Sequence, residues 1–165
     1  MSKILEQPTT NPTIIEGNGV DIRRIVVPVD LSEHSEKTAS YAVALAKTFE
    51  ATITFVHVFP PEAITEFTTE DVHASYEQQR EIAQQRLASF GKKIGRVYPE
   101  CATEFRIGDT AEQVKLAAVE LEADLIITAS YRPGFLGRLF GLEQAPRIVS
   151  QAPCPALVYH EPPDR

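Results

Sequence analysis

A chain of 165 residues, 43% apolar and 24% charged, has the make-up of one soluble globular domain with a substantial core. Its 16 basic and 23 acidic residues give a formal charge of -7, which argues against a broad nucleic-acid or anionic-membrane surface, since both need excess Lys and Arg. No apolar run approaches the ~20 residues of a membrane span, and the opening MSKILEQPTTNPTIIEGNG lacks the basic and apolar regions of a secretory signal, so the expected location is the cytoplasm.

Residues 1–22 are polar, with Pro8, Pro12, Gly17 and Gly19, and read as a flexible arm outside the main core. RRIVVPVD (23–30) is a Val/Ile-rich run suited to a strand buried on both faces. The next segment starts at Ser32, a natural N-cap, and carries Thr38, Ala42, Leu45 and Phe49 on one helical face. ATITFVHVF (51–59) is the second strand, and the prolines of PPEAITEF end it. From about Thr69 to Val97 a long helix shows the stripe Val72, Tyr76, Ala83, Leu87, Phe90, Ile94 and Val97. ECATEFRIG (100–108) is the third strand. A helix follows with a capping box from Thr110 to Gln113 and the stripe Val114, Ala117, Ala118 and Leu121. DLIITAS (124–130) and PALVYH (155–160) are strands four and five, with one short helix between them, and 161–165 form a tail. Alternating strands and helices predict an α/β fold, a single doubly wound five-stranded parallel sheet with helices on both faces. Ligands in such sheets bind at the carboxyl ends of the strands, where the strand order reverses.

Three pieces of the chain resemble the universal stress protein family. RRIVVPVDLSEHSEKTASYAVALA is similar to the family's opening strand and helix. FRIGDTAEQVKLAAVELEADLIITAS is similar to its middle unit, and RIVSQAPCPALV to its closing helix and strand. The resemblance covers residues 23–160. It implies the strand order 3-2-1-4-5, a crevice between Asp30 and Ala129–Ser130, and a homodimer joined along strand five, Pro155, Ala156, Leu157, Val158, Tyr159 and His160. A bare apolar edge strand also invites such pairing.

One branch of that family binds ATP through Gly-x2-Gly-x9-Gly-Ser/Thr after strand four. The marked positions fall here on Ala129, Arg132, Leu142 and Glu143, with Gly141 one residue early. A carboxylate about 5 Å from a phosphate charge opposes it by roughly 3 kcal/mol at an effective dielectric near 20. The expectation is therefore membership of the branch without the glycine loop: a regulatory or interaction protein with an unknown protein client, no ATP turnover and no required cofactor. The alternative is a nucleotide sensor holding AMP, adenosine or ATP in the strand-one/strand-four crevice. Pro28, Val29, Asp30 and Val58 match family positions lining the base pocket; Ala129, Arg132 and Arg138 complete the candidate set. The Asp30 carboxylate can accept an adenine amino hydrogen or cap the turn after strand one.

Other constellations are weaker. Arg132, Arg138 and Arg147 form either an anion site or a solvated loop, and Phe135, Leu136, Leu139 and Phe140 either a lid or packing at the sheet edge. His34, His57, His73 and His160 suggest no metal site, and His57 reads as a hydrogen-bonded strand histidine. Cys101 and Cys154 read as free thiols. A phosphoacceptor receiver domain, with Asp109 near the end of strand three, lacks its acidic cluster and its Lys after strand five. A flavodoxin lacks its Ser/Thr-rich phosphate loop after strand one, where DLSEHSEK is acidic.

Overall fold

The computed structural model describes residues 20–63, 69–130 and 144–160. The five strands are β1 (Arg24–Pro28), β2 (Thr52–Phe59), β3 (Cys101–Ile107), β4 (Leu125–Ser130) and β5 (Ala156–His160). The helices are α1 (Glu33–Phe49), α2 (Glu70–Gly95), α3 (Thr110–Glu120) and α4 (Gln144–Gln151). All strand pairs are parallel, as the strand–helix alternation predicts, in the order β3-β2-β1-β4-β5 that the family resemblance implies. Side chains alternate across each strand, so two cores form. Ile25, Val27, Ile53, Phe55, Leu125 and Ile127 face α1 and α2, with Phe55 edge-on to Phe90. Val26, Val56 and Ile126 face α3 and pack with Ala111, Val114, Ala117, Ala118 and Ile148.

The structure departs from the sequence reading at several element ends. Ile22, assigned to the arm, is 8% exposed and packs into the first core, because it directly precedes β1. The buried face of α1 is Ser35, Thr38, Ala39, Ala42, Val43 and Ala46; Leu45 and Phe49 only flank it. The stripe of α2 is buried from Ala83 to Ile94; Val72 is exposed because the 26-residue helix outruns the strands beneath it, and Val97, also exposed, lies beyond the helix, which ends at Gly95. The cap of α3 falls one residue earlier than the Thr110–Gln113 box. Asp109 is the N-cap, and its Oδ1 accepts from Glu112 N–H at 3.1 Å. Ahead of it Gly108 has φ 147°, and a Cβ there would stand 2.9 Å from Gln113 Nε2.

Pro28 shapes the carboxyl end of the sheet. Thr52 N–H bonds Arg23 O and Val29 N–H bonds Val56 O, whereas Asp124 N–H bonds Arg24 O. Polar groups of odd-numbered β1 residues therefore face β2, and those of even-numbered ones face β4. Pro28 thus lacks its N–H on the β4 side. The β1–β2 pairing continues to Pro28 and Val56, but the β1–β4 pairing ends at Val26 and Ile126. The two strands part where the strand order reverses.

Candidate functional site: the crevice at the end of β1

The crevice opens where β1 and β4 part. Counting on from the Val26–Ile126 pair, Val29 stands level with Ala129 across the opening. Pro28 is half-buried and Val29 buried, with Asp30 exposed at the mouth. Val58 approaches from β2, half-buried and packed on the second core. Ala129 is half-buried on β4, paired with Tyr159. Arg132 and Arg138 lie outside the described residues, as do Leu142, Glu143, Phe135, Leu136, Leu139 and Phe140.

The turn after β1 is built by Asp30. Its Oδ1 accepts from Ser32 N–H at 3.0 Å, Ser32 Oγ–H at 2.6 Å and Ser35 Oγ–H at 2.5 Å. Ser35 Oγ in turn accepts Asp30 N–H at 3.0 Å. Ser32 is the N-cap of α1 by position, yet its hydroxyl makes no capping bond because Asp30 holds it. Desolvation pushes the Asp30 carboxyl up, but the Ser32 and Ser35 hydroxyls outweigh it and hold the group below its ordinary range. The capping role is thus present. Oδ2 has no partner among the described residues and remains able to accept a ligand hydrogen. Leu31, between Asp30 and Ser32, takes φ 61°, which turns the chain into α1.

Val58 supplies main-chain groups. Within β2, Thr52 and Val56 present their polar groups to β1, whereas Ile53 N–H bonds Glu100 O and Gly108 N–H bonds Phe59 O on the β3 side. By the same alternation Val58 N–H and C=O face β1, past the point where that strand has turned away. Neither has a partner among the described residues. His57 Nδ1 lies 2.8 Å from Val29 O, a contact the sequence reading foresaw only as an unspecified hydrogen bond. The Ser32 and Ser35 roles were missed, although Asp-x-Ser-x-x-Ser after a strand is the local signal for them.

On the α3/α4 side, Arg147 Nη2 donates to Asp109 Oδ2 at 2.9 Å, so this arginine is tied to the cap of α3. The Glu112 amide and then the Arg147 guanidinium hold the Asp109 carboxyl below its usual range. A hollow of about 480 Å³ between α1 and α2 is lined in part by Leu31 and Ser32 of the same turn. It is braced by Arg86, which donates to Leu31 O, and by Lys93, which donates to Glu36. Cys101 and Cys154 are free thiols, both pushed up chiefly by burial. Among the described residues no three His, Cys, Asp or Glu side chains gather as metal ligands, and no helix is long and apolar enough to cross a membrane.

Residues 21–160 match the universal stress protein family. The chain belongs to that family. A universal stress protein of Methanocaldococcus jannaschii is 27% identical over 150 residues, 88% of this chain and 86% of that protein. Among solved structures, the Lactobacillus plantarum universal stress protein UspA superposes with a TM-score of 0.67 at 21% identity, covering 83% of this chain and 97% of that one. A universal stress protein in complex with cAMP gives 0.64 at 17% identity, covering 85% and 98%. One from Archaeoglobus fulgidus in complex with dAMP gives 0.53 at 18%, covering 84% and 98%. These structures share the fold of this universal stress protein.

Proposed function

We propose that the protein is a cytoplasmic, homodimeric regulatory module of the stress response, paired through β5, acting on a protein client and without ATP turnover. The observation that carries this reading is the contrast between the two sheet edges. β3 bears Glu104 and Arg106, and Arg106 bonds both Glu104 and Glu120. β5 carries no Asp, Glu, Lys or Arg. It is flanked by the exposed side chain of Tyr41, which stacks on Tyr159 at 4.9 Å. Charged side chains blunt an edge, and a bare edge pairs with its own copy about a two-fold axis. In light scattering the protein should be a dimer at micromolar concentration and Val158→Lys a monomer. A monomeric wild type overturns the reading.

A second reading is favoured by the Val58 main chain. Its donor and acceptor complement the N1 and amino group of adenine, and Asp30 Oδ2 offers a further acceptor. Relatives of this fold have been solved with cAMP and dAMP. The departures at Ala129, Arg132, Leu142 and Glu143 from the glycine pattern support the branch without the ATP loop. Calorimetry should show AMP and adenosine binding, and magnesium-ATP binding no tighter than about 1 mM. A micromolar constant for ATP would sink the assignment.

A further inference from the structure

The β1–β2 ladder ends in an unusual substitution of partners. Val29 N–H bonds Val56 O at 2.9 Å, so a continuing parallel ladder would next bring Val58 N–H onto Val29 O. That carbonyl instead receives His57 Nδ1 at 2.8 Å, and Val58 N–H has no partner among the described residues. A carbonyl only accepts, so Nδ1 carries the proton. The ring is steadied by Phe105, with centroids 5.7 Å apart. Phe105 stacks on Phe59, which meets Tyr76, whose hydroxyl donates to Pro60 O.

We propose that His57 is a positioning residue of the crevice: by occupying the Val29 carbonyl from its own side chain, it keeps the Val58 N–H open beside the Val58 C=O as a donor–acceptor pair for the edge of a planar nitrogen heterocycle. The proposal rests on the adenine reading for its ligand, but not for its geometry. The imidazole stands in for a main-chain donor, so β1 and β2 stay joined while the next peptide is released.

Nitrogen NMR and amide hydrogen exchange on the ligand-free protein test the geometry. His57 should show the Nδ1–H tautomer, and the Val58 amide should exchange faster than that of Val56. In His57→Phe the Val58 amide should close onto Val29 O and gain about tenfold or more in protection, with AMP affinity falling about tenfold. His57→Asn, whose carboxamide can donate from nearly the place of Nδ1, should restore fast exchange and binding. An Nε2–H tautomer overturns the proposal. So does a wild-type Val58 amide as protected as Val56, or a His57→Phe protein with unchanged Val58 exchange. If the tautomer and exchange come out as expected but AMP fails to bind to wild type, the positioning role stands and the adenine reading falls.

Discussion

The two ends of the sheet are finished differently. At the amino end, Asp124 Oδ2 accepts both Arg23 N–H and Arg24 N–H at 2.9 Å, and Asp124 N–H returns a bond to Arg24 O. Ile126 N–H bonds Pro155 O, Ile53 N–H bonds Glu100 O, and the Tyr98 hydroxyl donates to Ala51 O. At the carboxyl end, Pro28 breaks the β1–β4 pairing, His57 Nδ1 takes the Val29 carbonyl, and the Val58 N–H and C=O and Asp30 Oδ2 have no partner among the described residues. Unspent polar groups cost stability, so they are tolerated where a ligand can use them. On the proposed reading, stability is built at one end and binding capacity is kept at the other. Substitutions at the two ends should therefore separate these properties.

The largest effect on folding is expected from Asp124→Ala. It strips an ionised acceptor from two strand-opening amides. Water can reach part of the gap, so the loss should be about 1–2 kcal/mol, a fall in Tm of roughly 2–8 °C for a domain of this size. AMP affinity should stay within about twofold, because the crevice is at the other end. A parallel loss of affinity would break the comparison. The Asp124 carboxyl is held low chiefly by the Arg23 amide. Its folded pKa lies below the unfolded value, so the stabilisation is complete above about pH 4 and fades as pH falls through the folded value. Urea titrations of wild type and Asp124→Asn should differ at pH 7 and draw together as the pH falls through the folded value.

Asp30→Ala should show the reverse balance. The turn loses three hydrogen bonds onto Oδ1, but Asp30 is exposed and water replaces much of what is lost. The stability cost should be about 1 kcal/mol or less, against a roughly tenfold loss of AMP affinity measured by calorimetry. A variant that unfolds readily yet binds AMP as wild type does would assign Asp30 to capping alone.

The fold was legible because β-branched strands and helical stripes repeat through Ile25–Val27, Ile53–Val56 and Leu125–Ile127, and burial on both faces leaves little choice of structure. Element ends were less legible. Thr110 looked like a cap until Asp109 took the position, because either residue can accept from the first-turn amides. Among the described residues, the non-glycine Leu31, Glu50 and Glu122 adopt positive φ with no compositional sign of it. The site was half legible. Asp30 and Val58 came from resemblance, whereas the bond of His57 depends on which side of β1 each peptide faces. That is fixed by pairing between residues 28 apart, which local pattern does not encode.

The smallest effect concerns Arg147, which the sequence left open as an anion ligand. Its guanidinium donates to Asp109 Oδ2 and to Gln144 Oε1, and both ends of the Asp109 pair are solvent-exposed. Exposed pairs are screened and contribute little. Asp109, by contrast, also caps α3 through the Glu112 amide, an interaction that salt affects less. Thermal melts should therefore rank the variants: Asp109→Ala lowers the Tm by about 2–4 °C and keeps that loss in about 0.5 M salt, whereas Arg147→Gln lowers it by about 1 °C or less and loses the effect there. The same pair tests the carboxyl end. An arginine committed to Asp109 adds little to phosphate binding, so the ratio of AMP to adenosine affinity should be unchanged in Arg147→Gln within about twofold. A loss confined to AMP would mean that Arg147 leaves Asp109 for the phosphate, and that the carboxyl end holds an anion site as well as a base site.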